Sequence, residues 1–119
     1  MPSGRILIVD DDHDIRQTLS EVLEDEGYLV QSVANGAEAL QALREGRLLP
    51  ALILLDLMMP VMDGFQFRLE QQRDPRIAGI PVVVITAGGN HDLKTIDAVE
   101  VIAKPIKLAR LLSAIEQHR

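Results

Sequence analysis

Residues 53–64 read ILLDLMMPVMDG, and with Leu52 in front they place four consecutive apolar residues directly before Asp56. A half-exposed strand alternates apolar and polar residues, whereas a strand buried on both faces, as in a parallel sheet covered by helices, reads as a continuous aliphatic run. This segment therefore belongs inside an α/β sheet, and it delivers a carboxylate at its carboxyl end. Met59 and Pro60 stiffen the exit from the strand, and Gly64 permits a turn that a bulky residue would resist.

Working outward, comparable apolar runs recur at Ile6 to Val9, Tyr28 to Val33 and Val82 to Ile85, with a weaker one at Val99 to Ala103. Between them lie stretches of helical period: Ile15, Leu19, Val22 and Leu23 before Gly27; Ala37, Leu40 and Leu43 before Gly46; Phe65 and Leu69 after Gly64. Leu108, Leu111, Leu112 and Ile115 form a closing amphipathic helix with Lys107 and Arg110 on its polar side. Strand and helix alternate, so the class is α/β, a doubly wound five-stranded parallel sheet with helices on both faces. At 119 residues, 47% of them hydrophobic, the chain is expected to be a single domain over 1–119.

A net charge of -6 with scattered Lys and Arg argues against a nucleic-acid face, because phosphate contacts need clustered cations. The longest apolar tract, Leu48 to Met62, is broken by Asp56 and by Pro50 and Pro60, and is too short for a membrane helix. The N-terminus MPSGRILIVDD lacks the features of a secretory signal, which predicts a cytoplasmic location. The absence of cysteine excludes a disulfide scaffold, a thiolate zinc site and a cysteine nucleophile. His13, His91 and His118 are isolated in sequence and read as surface residues.

In a doubly wound sheet the ligand site lies outside the carboxyl ends of the strands. The first strand ends in Asp10, Asp11 and Asp12, the third in Asp56, the fourth in Thr86 and the fifth in Lys104. Singly, each has an ordinary reading: Asp12 or Asp14 as a helix cap or first-turn acid, Lys104 as a surface ion-pair partner, Thr86 as a strand residue. Together the acids would repel one another and raise each other's pKa unless a cation sits among them. Hard oxygen ligands without cysteine or clustered histidine point to Mg²⁺, which accepts phosphate oxygens as further ligands. An aspartate in such a crevice can act as a nucleophile and form an acyl phosphate, with metal, ammonium and hydroxyl offsetting the phosphoryl charge.

The motifs IVDDD, D-x-x-M-P from Asp56 to Pro60 with Met62-Asp63-Gly64, VITA around Thr86, and Lys104-Pro105, in this order, resemble the receiver domain of two-component response regulators along the whole chain. The resemblance implies a flavodoxin-like sheet of order 2-1-3-4-5. It implies that Asp56 accepts a phosphoryl group from a histidine kinase or histidine phosphotransfer protein. Asp10 and Asp11 would hold Mg²⁺ with Asp56 and the backbone carbonyl of Met58, Thr86 and Lys104 would contact the phosphoryl oxygens, and Pro105 would follow a cis peptide. Such a chain is a phosphoryl acceptor rather than an enzyme, with at most intrinsic autodephosphorylation. It would act on an unknown downstream protein, as a monomer or weak dimer.

Two departures from the family pattern fall on one surface. Val101 stands where the family usually carries a Tyr or Phe that moves with the threonine, and only 18 positions separate Thr86 from Lys104, about four fewer than usual, or roughly one helical turn. The fourth helix, capped by Asn90 with Leu93 and Ile96 inward, is therefore expected to be short. Competent phosphoryl chemistry with unorthodox output follows, without the usual dimer through that surface. Two alternatives stand beside this: a degenerate receiver that binds a partner constitutively, and a dehalogenase-type phosphohydrolase in which Asp10 is the nucleophile.

Overall fold

The computed structural model describes residues 4–46, 49–87 and 96–119. The elements run β1 (Arg5–Val9), α1 (His13–Asp25), β2 (Leu29–Val33), α2 (Gly36–Glu45), β3 (Leu52–Asp56), α3 (Gly64–Arg73), β4 (Val82–Thr86), β5 (Glu100–Ala103) and α4 (Leu108–His118). The short helix expected from Asn90 lies outside the described residues, so the closing helix is α4 here. All strand pairs are parallel and the sheet order is β2-β1-β3-β4-β5, as expected.

Strand alternation divides the aliphatic runs between two cores. Leu7, Val9, Ile53, Leu55, Val82 and Val84 face α2 and α3, where they meet Leu40, Leu43 and Phe67. Ile6, Ile8, Leu52, Leu54, Val83, Ile85 and Ile102 face α1 and α4, where they meet Leu19, Leu23, Leu111 and Ile115. Each such side chain taken from water stabilises by about 1.5–3 kcal/mol, which makes these two layers the main source of stability. No helix of the described residues is long and apolar enough to cross a membrane.

Asp12 caps α1, its carboxylate accepting from the backbone N–H of Asp14 and Ile15, and Asp14 is the first-turn acid. Asp63 caps α3 in a capping box with Gln66. The inward face of α3 differs from the expected one. Phe67, Arg68 and Gln71 are buried, Phe65 is only partly so, and Leu69 is half exposed at 50%. The cause is polar: Arg68 and Gln71 are buried because backbone carbonyls receive their N–H groups. His118 likewise is not a free surface residue. Its Nε2 lies 3.0 Å from Glu100, which also pairs with Arg110, so these contacts tie α4 to β5.

Candidate functional site

Register puts the polar groups together. Val9 is opposite Leu55 across β1 and β3, so Asp10 and Asp56, each the next residue on, leave the sheet side by side. Asp10, Asp56 and Lys104 stand two positions beyond Ile8, Leu54 and Ile102, all of which point into the α1–α4 layer. Alternation therefore aims all three to one side. Ligand atoms of Asp10, Asp11 and Asp56 lie within 4.8 Å of one another, with Asp10 and Asp56 buried and Asp11 exposed.

Asp10 is fixed on three sides. Its N–H donates to the Val33 carbonyl (3.1 Å), its own carbonyl accepts from Arg16 Nη1 (2.7 Å), and its Oδ1 accepts from the Asp12 N–H (2.9 Å). Asp56 Oδ1 accepts from the Met58 N–H at 3.4 Å, which sets the Met58 backbone against the carboxylate while its side chain faces water. Lys104 Nζ stands 3.7 Å from Asp10 Oδ2 and 3.8 Å from Asp56 Oδ1. Thr86 is buried at the end of β4, and its carbonyl accepts from the Lys104 N–H at 2.8 Å. The Lys104–Pro105 peptide is cis.

The loop after Asp56 is held by contacts that motif reading did not supply. Gly64 donates its N–H to the Leu57 carbonyl, and a Cβ on it would lie 2.8 Å from Leu57 Cα and 2.9 Å from the Asp56 carbonyl. Its glycine is required by close approach rather than by a special turn conformation. Gly36 is confined in the same way against Met62, whose carbonyl receives its N–H. Between them Val61, 81% exposed, adopts a φ of 67°, a left-handed conformation costly for a β-branched residue.

Burial pushes the Asp56 carboxyl up to about 6, Asp10 adds repulsion, and Lys104 and the Met58 N–H only partly oppose this. Burial likewise raises Asp10, with the Asp12 N–H and Lys104 pulling it back. One ammonium does not balance the acids. A hard divalent cation among three carboxylates would, and oxygen-only donors suit Mg²⁺. Beside the acids, Ile15, Leu19, Ile106 and Leu108 line an apolar groove of about 400 Å³ that ends at Lys104.

A family model described as the response regulator receiver domain matches residues 6–116. The chain is 34% identical over 122 residues to the sporulation initiation phosphotransferase F of Bacillus subtilis, covering 99% of this chain and 95% of that protein. It spans about a third to a half of the length of several other curated relatives, DNA-binding regulators of Synechocystis and of mycobacteria among them. The structure of the Vibrio cholerae chemotaxis protein CheY4 superposes with a TM-score of 0.88 at 30% identity, over 99% of this chain and all of that one. The response regulator TrrA of Thermotoga maritima, solved in complex with Mg(2+)-BeF, gives a TM-score of 0.85 at 29% identity, over 98% of this chain and 100% of that one.

Proposed function

This chain belongs to the response regulator receiver family of two-component signalling, and from that premise we propose that Asp56 is its phosphoryl acceptor in a Mg²⁺-dependent reaction. The observation that carries the reading is the meeting of Asp10, Asp11 and Asp56 within 4.8 Å, with Lys104 Nζ near two of them. Asp10, Asp11, Asp56 and the Met58 carbonyl would hold the ion. Mg²⁺ supplies charge neutralisation on the phosphoryl oxygens when bound.

Each side chain then has a task. An Asp56 oxygen attacks the phosphorus of a phosphohistidine; the new O–P bond forms as the P–N bond breaks, and the imidazole leaves with the electron pair and takes up a proton. Asp56 must be ionised to attack, and a pKa of about 6 leaves it so at neutral pH. Lys104 offsets charge on one phosphoryl oxygen and the Thr86 hydroxyl donates to another. The product is an acyl phosphate, and its loss by hydrolysis is at most an intrinsic autodephosphorylation.

The donor is a histidine kinase or histidine phosphotransfer protein, and the apolar groove between α1 and the Lys104–Leu108 turn suits a protein surface presenting that histidine. We read residues 1–119 as a single receiver domain, cytoplasmic, with no nucleic-acid contact of its own. Output runs through contacts with a downstream protein, and Val101, packed beside Val84 where a moving aromatic would stand, makes that output unorthodox and the protein a monomer or weak dimer.

Incubation with acetyl phosphate and Mg²⁺, followed by intact mass, tests the assignment. One added phosphoryl group is expected, lost in D56N and, because Asp10 would help to hold the ion, slowed but still placed on Asp56 in D10N. Transfer to Asp10 would restore the phosphohydrolase reading, and no mass gain at all would mark a constitutive binding module. A stable dimer of the beryllofluoride-bound form through β5 and α4 would contradict the oligomeric expectation.

A further inference from the structure

The buried guanidinium of Arg68 has no task in the chemistry above. Its side chain is 9% exposed, and its ion-pair partner among the described residues, Asp97 Oδ2 at 3.9 Å, faces water at 82% exposure. Desolvating a cation without a buried counter-charge is costly unless its donors are satisfied. Here they are: Nε donates to the Ile96 carbonyl (2.8 Å), Nη2 to the Asp97 carbonyl (2.9 Å) and Nη1 to Gln71 Oε1 (2.8 Å). Gln71 is held in turn by donating to the carbonyls of Ile77 (2.9 Å) and Ile80 (3.1 Å).

The two backbone carbonyls taken by Arg68 sit where the chain enters β5. Asp97 is left-handed (φ 52°), a turn conformation that aspartate tolerates, and Arg68 holds its carbonyl there. Two residues later the Val99 N–H donates to the Val82 carbonyl (2.9 Å) and opens the β4–β5 pairing, which closes at Lys104 N–H to Thr86 O (2.8 Å). At its other end α3 begins with Gly64 packed on Leu57 and the Asp56 carbonyl. One helix therefore touches the acceptor strand with its first residue and grips the entry of the lysine strand one turn later.

We infer that Arg68, braced by Gln71, is a positioning residue that ties the entry of β5 to α3 and thereby sets where Lys104 stands relative to Asp56. The inference rests on the reading that Lys104 contacts the transferred phosphoryl. An arginine that merely fills the core would be replaceable by an apolar side chain without selective effect on the site. A clamp instead separates two affinities, because the acids that hold Mg²⁺ are on β1 and β3 and Lys104 alone depends on β5.

The full chain and its R68M and R68K variants are compared by backbone amide hydrogen exchange, by Mg²⁺ titration, and by beryllofluoride titration at saturating Mg²⁺. R68M is expected to lose about tenfold or more of the protection at Val99 and Lys104, while Asp10, bonded to the Val33 carbonyl, keeps its own. Mg²⁺ affinity stays within about twofold, and beryllofluoride affinity falls roughly tenfold. R68K, with one compact ammonium in place of the fork, lies between. Unchanged protection at Val99 and Lys104, an equal loss at Asp10, or unchanged beryllofluoride affinity overturns the clamp. If the wild type takes up neither Mg²⁺ nor beryllofluoride, the phosphoryl reading fails while the exchange comparison still decides the clamp. Should R68M not fold, R68K must show the same split in smaller measure, and its absence is equally decisive.

Discussion

Lys104 Nζ is almost equidistant from Asp10 Oδ2 (3.7 Å) and Asp56 Oδ1 (3.8 Å), so one ammonium serves two carboxylates that repel each other. Replacing it with methionine removes attraction from both. In K104M the Asp10 and Asp56 carboxyls are expected to titrate higher than in the wild type, as carboxyl carbon NMR would show, and Mg²⁺ should bind at least as tightly. Phosphorylation by acetyl phosphate should slow by about a hundredfold or more. A K104M protein phosphorylated at the wild-type rate would remove Lys104 from the chemistry.

The raised Asp56 pKa has a definite sign in stability. Asp56 titrates at about 6 in the folded chain against an ordinary 3.8, so the folded state holds this proton more tightly than the unfolded state. Below 3.8 the group is protonated in both states and costs nothing; as pH rises from 3.8 through 6 stability is lost, by about 3 kcal/mol at most, and above 6 the loss is complete. Urea denaturation in EDTA should therefore find D56N more stable than wild type at pH 7.5, with the difference closing as pH falls toward 4. Equal stabilities at pH 7.5 would show that the carboxylate is not desolvated.

Metal should reverse that penalty. Mg²⁺ at a hundred times its dissociation constant is expected to raise the unfolding free energy by about 2.7 kcal/mol, and chelation to return it. Asp11 is exposed, so D11N should move metal-free stability by no more than about 0.5 kcal/mol while abolishing most of the Mg²⁺-dependent gain. Thermal melts with and without the ion read both effects.

Val61 holds a left-handed backbone with little packing to show for it. Asparagine tolerates that conformation, so V61N is expected to gain roughly 1 kcal/mol. The neighbouring constraint runs the other way: G64A must displace Leu57 or the Asp56 carbonyl, and should lose about 1–3 kcal/mol and slow phosphorylation together. Denaturant midpoints would expose a failure of either.

The sheet was legible in the sequence because β1, β3 and β4 are nearly continuous aliphatic runs and four of the strands end in polar groups, acids at β1 and β3, Thr86 at β4 and Lys104 at β5, which is what double-sided burial and a carboxyl-edge site demand. All five strands fall within a residue of the expected bounds, and Asp10, Asp11, Asp56 and Lys104 do converge. The buried face of α3 is not legible in the sequence, because periodicity counts apolar residues and a guanidinium satisfied by carbonyls is indistinguishable there from an exposed one. Helical period marks Phe65 and Leu69, yet Phe67 is the apolar residue that α3 buries and Leu69 is half exposed. The role of Gly64 was read as a turn because close approach depends on a partner, Leu57, whose position the motif does not state. Likewise nothing in the sequence pairs His118 with Glu100.

The acids and the amine stand on strands of different rank. Asp10 and Asp56 leave β1 and β3, each flanked by neighbours on both sides, whereas Lys104 leaves β5, an edge strand with one neighbour among the described residues. The negative side of the crevice is therefore stiff and the positive side compliant, like a fixed jaw facing a sprung one. A phosphoryl group arriving between them would draw the lysine strand inward rather than distort the carboxylates, so the mechanical record of that arrival would be written at the margin of the sheet.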